Sequence, residues 1–195
     1  MDWHVVVGAV AGVLSVAAII PYLRDILRKN TRPNLVSWSL WTVAVLITLA
    51  GQISAGASWS ALLLIGATIE NLAVIVLALR GYGYTKFDRV EQVTLLLCVL
   101  AIVLWQVTEN PLIAIAFAIA ADSVAYVPTV TKAYRDPKSE LAFFWGSLVV
   151  VDILAAVSST KIDFANLGFP ISYAILNGTV ATVVFLRRRT QIASL

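Results

Sequence analysis

The sequence predicts an all-α membrane protein with seven transmembrane helices. Of its 195 residues, 60% are hydrophobic and 13% are charged, whereas a typical soluble domain carries about 25% charged residues. Seven apolar segments approach the roughly 20 residues that a helix needs to cross the hydrocarbon core. Backbone groups must be paired in lipid, and solid apolar runs lack the alternation of a membrane β-barrel. We therefore expect each segment to form a helix.

The fourth predicted span is the weakest. Its clean apolar core, from Val93 to Val107, is shorter than the ~17-residue lower limit for a span. It needs Gln92 and Thr108 to reach that limit. The seven spans are predicted at residues 5–24, 35–54, 60–79, 92–108, 112–131, 141–158 and 166–186.

Landmarks of the first three spans recur in the last three. A shift of 107 positions, without a gap, superimposes several of them: Pro21 on Pro128, Arg28 on Arg135, Trp38 on Trp145, Glu70 on Asn177 and Arg80 on Arg187. We therefore predict a first three-helix repeat at 1–83, a linker helix at 84–109 and a second three-helix repeat at 110–190. The linker makes the two bundles parallel, related by a pseudo-twofold axis along the membrane normal.

Charge predicts the orientation. If every segment crosses once, all of the 14 Lys and Arg residues except Lys161 fall on one side, which the positive-inside rule assigns to the cytoplasm. The N-terminus is then outside, the C-terminus is cytoplasmic, and the cell (inner) membrane is the predicted location. Because topology accounts for the basic residues, the lipid bilayer is a predicted partner and nucleic acid is not.

Polar residues are predicted at the membrane midplane. Ser15, Glu70, Asp122 and Asn177 each stand near the middle of their span, and Asn71 follows Glu70. Burying an ionisable group at this depth costs at least ~2.5 kcal/mol, so such residues face the bundle interior or a wet cavity. The alternative is interhelical hydrogen bonding, worth about 0.6 kcal/mol on average, which competes most seriously for Ser15, Asn71 and Asn177.

The intramembrane carboxyl groups are candidates for proton coupling. Asp122, Glu70 and Asp152, the last somewhat toward the outside, have no Lys or Arg within any span. Desolvation without a cationic partner favours the neutral acid, which can then bind and release a proton. We expect Asp122 to be the main proton carrier. The same carboxylates could instead meet a cationic group of the substrate.

Aromatic residues fall into two predicted groups. Tyr126 is one turn from Asp122, and Tyr173 is one turn from Asn177, so each shares a face with a candidate binding residue. Packing beside Pro128 is an equal explanation for Tyr126. The six tryptophans are expected to form the interfacial belt, with none assigned to substrate: Trp3, Trp38, Trp41, Trp59, Trp105 and Trp145.

Pro21 and Pro128 are predicted hinges. A proline inside a helix removes one backbone hydrogen bond and kinks the helix. Both lie about one turn above the predicted cytoplasmic ends of their spans, where bending would open or close that end. Alternatively, the prolines only mark helix ends before a loop.

The sequence contains none of the usual enzymatic motifs. It has no glycine-rich phosphate loop, no metal-ligand spacing and no Ser/His/Asp set, and His4 and Cys98 are its only histidine and cysteine. No enzymatic activity, cofactor or metal is therefore expected.

Short motifs of both repeats resemble the SWEET and PQ-loop transporter superfamily. The family pattern is a Pro-Gln pair, a basic loop ending in Lys-Ser, and an aromatic residue or Ser that opens the next helix. The first repeat reads Pro21-Tyr22, Lys29-Asn30-Thr31 and Leu35-Val36-Ser37-Trp38, and the second reads Pro128-Thr129, Lys138-Ser139-Glu140 and Phe143-Phe144-Trp145. The glutamine is absent from both pairs. Gly66 and Glu70 also resemble a Gly-x-x-x-Glu pattern in the third SWEET helix.

The resemblance implies a 3+1+3 layout and transport of a small polar solute by alternating access. It implies a substrate-contacting Asn on the third helix of each repeat, which Asn177 matches, whereas Glu70 with Asn71 matches imperfectly. The expected function is a secondary transporter of a sugar, amino acid or related metabolite. The sequence leaves open whether it is a facilitator or a proton symporter that uses the intramembrane carboxyl groups. Hinge roles for Pro21 and Pro128 follow from the same resemblance.

Two alternatives share this layout. A non-transporting binding protein, as in the KDEL receptors, would hold a peptide or lipid. A vitamin-precursor carrier, as in the nicotinamide-riboside transporters, would be expected to have more midplane aromatic residues than the sequence offers. Substrate identity and oligomeric state are left open by the sequence.

Overall fold

A computed structural model of the protein describes residues 2–193, with side chains described through Thr190. Over this part of the chain the backbone forms seven α-helices, and a π-helical turn at Ala78–Tyr82 extends the third helix. The helices are α1 (Trp3–Leu27), α2 (Leu35–Ser54), α3 (Ala61–Leu77), α4 (Arg89–Thr108), α5 (Pro111–Arg135), α6 (Ala142–Val157) and α7 (Phe164–Ala193). The predicted all-α fold with seven helices is confirmed.

Six of the described helices are long and apolar enough to cross a membrane, which identifies an integral membrane protein. The exception is α6, whose 16 residues span about 24 Å at 1.5 Å per residue. The shortest observed helix is therefore the sixth, whereas the sequence predicted that the fourth span would be the weakest. The difference arises because Asp88 and Glu91 form a capping box, so α4 begins three residues before the predicted span.

Proline lies inside α1 and α5 and does not end them. The helices continue past Pro21 and Pro128 to Leu27 and Arg135, six (27 − 21) and seven (135 − 128) residues further. The interpretation of these prolines as simple helix ends is therefore wrong. Their use as hinges stays a prediction.

Helix packing places α4 at one side of the bundle. In the first half of the molecule (α1–α3), α1 and α2 pack on α3, and in the second half (α5–α7), α5 and α6 pack on α7. Between the halves, α1 packs on α6 and α2 packs on α5, while α4 packs on α5 and α2. The two halves therefore meet along two extended helix-helix contacts.

Glycine allows a close approach between α1 and α3 within the first half. A Cβ atom on Gly66 would lie 2.9 Å from the carbonyl oxygen of Gly12 and 3.0 Å from Ser15 Oγ. A larger residue at position 66 would therefore have to push α1 away. This contact brings Ser15 opposite α3.

Hydrogen bonds between the loops show two groups of loops, one at each end of the helices. At one end, which we call the basic end, Leu35 N donates to Tyr84 O, and Thr31 Oγ1 donates to Ser139 O. These bonds join the loops after α1, α3 and α5. At the other end, which we call the opposite end, Ser58 N donates to Asn166 Oδ1, which joins the loop after α2 to the start of α7. This grouping agrees with helices that run alternately between the two ends.

Candidate functional site

A cavity of about 50 Å³ lies between the two halves, and every described helix except α4 contributes to its wall. We call it the central cavity. Its polar wall consists of Ser15, Glu70, Asn71, Tyr126, Asp152, Tyr173 and Asn177. The rest of the wall is mostly aromatic and aliphatic: Trp38, Trp41, Val45, Leu63, Ala67, Phe144, Trp145, Leu148 and Phe169. The structure thus brings together all of the predicted binding residues except Asp122.

In the first half, Glu70 is held by α1. The Ser15 hydroxyl donates to Glu70 Oε1, and both side chains are buried. Gly66, one turn before Glu70, permits the approach of α1 that this bond requires. The hydrogen bond leaves Glu70 Oε2 as an acceptor on the same cavity.

In the second half, Asn177 joins three helices. The Tyr126 hydroxyl donates to Asn177 Oδ1 at 2.7 Å, and Asn177 Nδ2 donates to Asp152 Oδ2 at 2.8 Å. The amide is therefore oriented by both neighbours. Tyr126, which the sequence placed beside Asp122, instead makes its hydrogen bond to Asn177. Asn177 thus provides interhelical bonding and also lines the cavity.

The carboxyl groups of the central cavity have no basic neighbour in its wall. Among the described residues that line it, none is Lys, Arg or His. Glu70 and Asp152 each use one oxygen in the bonds above, and Asn71, also in the wall, forms no side-chain hydrogen bond within the described chain. The site therefore offers several acceptors to a solute and no positive charge.

Asp122 lies behind the cavity wall. Its side chain is fully buried, and neither carboxyl oxygen has a hydrogen-bond partner among the described residues. Tyr173 lines the cavity and lies beside Asp122. The repeat shift gives the reason, since 66 + 107 = 173: where the first half has Gly66, the second half has a tyrosine ring. That ring separates Asp122 from the cavity.

Three tryptophans correct the predicted aromatic belt. Trp38, Trp41 and Trp145 are 6%, 7% and 2% exposed and line the central cavity, whereas Trp3 and Trp59 are exposed. The buried rings face the contact between the halves. The recurrence of Trp38 at Trp145 was the signal that could have found them, with Trp41 three residues on and hence on the same helix face.

Aromatic rings form a connected cluster around Tyr126. Its ring centroid lies 5.2 Å from that of Trp41, 5.8 Å from that of Trp145 and 5.9 Å from that of Tyr173. These distances are typical of aromatic pairs in tilted or edge contact. The Trp145 indole is fixed further because its Nε1 donates to Glu140 Oε2 at 3.0 Å. The cluster therefore gives the cavity a rigid aromatic side.

Residues related by the repeat shift line the central cavity in pairs. Four pairs separated by 107 positions have both members in the wall: Trp38 with Trp145, Trp41 with Leu148, Val45 with Asp152, and Glu70 with Asn177. Corresponding positions of the two halves therefore face the same space.

A larger cavity, of about 460 Å³, lies at the basic end. Trp38, Trp41 and Trp145 line both cavities, so these rings stand between the two spaces. Pro128 is also in the wall of the larger cavity. Glu140, which holds Trp145, also forms an ion pair with Lys132 at 2.6 Å.

The opposite end is tied across the halves. Ser58 N donates to Asn166 Oδ1 at 2.9 Å, and the Ser58 and Ser159 hydroxyl oxygens are 3.1 Å apart. Lys161 Nζ donates to the carbonyl oxygen of Gly56 at 2.7 Å. These bonds hold the loops of the two halves together above the central cavity.

No family model, curated protein or solved structure matches this chain. Its site is therefore interpreted from its own geometry. Within the described chain, no group of three or more His, Cys, Asp or Glu side chains could hold a metal ion. The central cavity combines oriented acceptors with aromatic faces, which suits the binding of a small solute.

Proposed function

We propose that this protein is a secondary transporter that moves a small polar solute across the membrane by alternating access. The observation that carries the proposal is the central cavity, because both halves supply its wall and it lies between one tied end and one open end. The proposed architecture is the 3+1+3 layout of the SWEET and PQ-loop superfamily, with α4 as the linker. The basic end faces the cytoplasm.

Helix packing supports the duplication. Among these six helices, replacing α1, α2 and α3 by α5, α6 and α7, and the reverse, turns each packing pair into another observed pair. The pair α1 with α3 becomes α5 with α7, α2 with α3 becomes α6 with α7, and α1 with α6 becomes α5 with α2. Such an exchange is expected of parallel repeats related by a twofold axis along the membrane normal. The paired wall residues support the same arrangement.

The difference between the two ends supports alternating access. Hydrogen bonds across the halves close the opposite end, whereas the basic end has a cavity of about 460 Å³. The three shared tryptophan rings lie between that cavity and the central one. We infer that bending at Pro21 and Pro128 moves these rings aside and connects the central cavity to the basic end. The reverse movement of the helices then opens the opposite end.

The proposed roles of the carboxyl groups follow their positions. Glu70 and Asp152 line the central cavity, so they bind the solute and can exchange a proton with it. Asp122 is separated from the solute by Tyr173, so its proposed proton-carrying role requires that this ring moves during the cycle. Asp122→Asn then removes the pH dependence of uptake while leaving membrane insertion intact.

The test is counterflow in proteoliposomes that contain the purified full-length protein. We expect preloaded unlabelled solute to drive uptake of labelled solute, and Glu70→Gln to reduce that uptake at least about tenfold. Glu109→Gln is the matched control, since Glu109 is exposed and lies outside the cavity. Solute binding without any counterflow would contradict transport and favour a binding protein on the same layout.

A carrier for a ring-bearing vitamin precursor is the second candidate. It was disfavoured from the sequence because few aromatic residues were expected at the midplane. The structure contains seven aromatic residues in the cavity wall, three of them buried tryptophans. Nicotinamide riboside should therefore be tested in the counterflow assay, together with sugars and amino acids.

A further inference from the structure

We propose that the central cavity selects solutes that carry an organic ammonium group, either a primary amine or a methylated ammonium head. The inference rests on the proposed function only in taking this cavity as the solute site. It goes further by naming the chemical class of the solute. Three features of the cavity carry it: its charge, its rings and its size.

Charge favours a cation. The wall contains Glu70 and Asp152, both at most 5% exposed, and no basic residue. Lys132, whose cavity is divided from the central one by tryptophan rings, is already paired with Glu140. Buried carboxylates without a counter-charge are costly, so an incoming cation would supply what the protein omits. With a neutral solute, each carboxyl group would have to stay protonated or remain an uncompensated charge.

The hydrogen bonds orient the carboxyl groups as acceptors. Ser15 donates to Glu70, and Asn177 donates to Asp152, so each group is fixed by a neutral donor from another helix. The second oxygen of each carboxyl group has no hydrogen-bond partner among the described residues, so it can accept a hydrogen bond from the solute. A primary ammonium group carries only N–H donors, which these oxygens match, whereas a fully methylated ammonium head is attracted to them by its charge alone.

Aromatic rings complete the site. Trp41, Tyr126, Trp145 and Tyr173 all line the cavity, and neighbouring ring centroids in this group lie 5.2–5.9 Å apart. Ring faces attract cations, and aromatic cages are the usual means of binding methylated ammonium groups. Trp41 Nε1 is buried and has no partner among the described residues, so it can donate to an acceptor elsewhere on the solute.

The size of the cavity favours a small head group. Its volume of about 50 Å³ is far below the ~300–1,000 Å³ of pockets for drug-sized ligands. In this conformation it accommodates a compact cationic group more readily than a complete sugar ring. The remainder of a larger solute would extend past the tryptophans toward the basic-end cavity.

The test compares charged probes with a neutral probe of the same shape. Choline, its uncharged analogue 3,3-dimethyl-1-butanol, ethanolamine and D-glucose are titrated onto the full-length protein in detergent. Intrinsic tryptophan fluorescence reports binding, because three tryptophans line the cavity. We expect choline or ethanolamine to bind at least about tenfold more tightly than the neutral analogue, and glucose to have no effect. If neither choline nor ethanolamine bound more tightly than the neutral analogue, or if glucose were preferred, the proposal would be overturned.

Variants assign the binding to this cavity. Glu70→Gln and Asp152→Asn should each weaken cation binding about tenfold or more without changing the affinity for the neutral analogue. Trp41→Leu should weaken methylated ammonium binding, whereas Trp59→Phe, at an exposed ring outside the wall, should not. If either carboxyl variant fails to fold, the other and Trp41→Leu still decide. Unchanged cation affinity in the folded variants would place the binding elsewhere.

Binding and transport can fail separately. If the cation binds but no counterflow occurs, the solute class stands and the transporter function is wrong. If only a neutral solute binds and shows counterflow, the transporter function stands and the solute class is wrong.

Discussion

The two halves of this molecule differ most at one pair of equivalent positions, where the first half has a glycine and the second half has a tyrosine. In the first half Gly66 lets α1 approach α3, so Ser15 reaches Glu70 on the cavity. At the equivalent position of the second half, Tyr173 lies between α7 and α5, and Asp122 stays behind it without a partner. The carboxyl group of Glu70 therefore lines the cavity, whereas that of Asp122 lies outside its wall, next to Tyr173.

The second half supplies its cavity carboxyl from a different helix. Asp152 on α6 stands at the position equivalent to Val45 on α2, while Asn177 stands where the first half has Glu70. Each half thus places one carboxyl group on the cavity, one from α3 and one from α6. The helix packing of the two halves corresponds, while the chemistry of the walls that they supply differs.

The largest expected effect comes from removing the ring that hides Asp122. Tyr173→Ala should destabilise the protein by about 3 kcal/mol, because a large aromatic side chain packed on Phe169 at a centroid distance of 3.9 Å is lost. It should also open Asp122 to the cavity. Labelling with a water-soluble carbodiimide and an amine, followed by mass spectrometry, should modify Asp122 in the variant only.

Tyr173→Phe is the matched control for this change. It keeps the ring, so Asp122 should stay unmodified while the stability changes little. Equal labelling of Asp122 in the unmodified protein and in Tyr173→Ala would contradict the screening role of Tyr173.

A smaller effect should follow from filling the gap beside Glu70. Gly66→Ala places a Cβ atom 2.9 Å from Gly12 O and 3.0 Å from Ser15 Oγ, so α1 must shift. We expect a loss of about 1 kcal/mol in the free energy of unfolding, together with weaker solute binding. Gly178→Ala is the control, because its Cβ atom would meet nothing closer than Val149 Cγ2 at 3.7 Å and alanine favours a helix. In detergent, Gly66→Ala should unfold at a lower temperature than Gly178→Ala. Equal stability of the two variants would contradict the argument that Gly66 allows α1 to approach α3 closely.

The smallest effect lies outside both halves, at the start of α4. Hydrogen bonding with the Glu91 side chain, together with the ion pair to Lys86 at 2.6 Å, holds the pKa of Asp88 well below its usual range. A depressed pKa in the folded state stabilises the protein above the unfolded value of about 3.9, and this is lost as the pH falls below it. Asp88→Asn should therefore lower the unfolding temperature slightly at pH 7. The difference from the unmodified protein should shrink below pH 4, and at each pH the two proteins should bind the solute equally.

The sequence predicts the helices and their polar residues well because both depend on position along the chain. Apolar length located seven helices, and counting from the span ends put Ser15, Glu70, Asn71 and Asn177 at a common depth. Counting gives height in the membrane but not the surroundings of a side chain. Asp122 has the right height, yet a ring from α7 covers it.

The prediction of an interfacial belt is wrong for the buried tryptophans for a related reason. Trp38 and Trp145 stand near helix ends, where an interfacial belt is expected of a helix that faces lipid. Their burial depends on which helices cover them, and that follows from contacts between the halves. For the prolines, the local sequence pattern cannot distinguish a helix that ends near Pro128 from a helix that continues past it.

The central claim is that the two halves must separate at the opposite end for solute to pass. Ser58 and Ser159 approach to 3.1 Å between their hydroxyl oxygens across the halves, so the Ser58→Cys, Ser159→Cys double variant can form a disulfide there. Counterflow of the solute identified by binding is then measured in proteoliposomes under oxidising conditions and after reduction. We expect the oxidised protein to lose counterflow and the reduced protein to recover it, with each single variant active throughout. Full counterflow with the disulfide formed would contradict alternating access through this end.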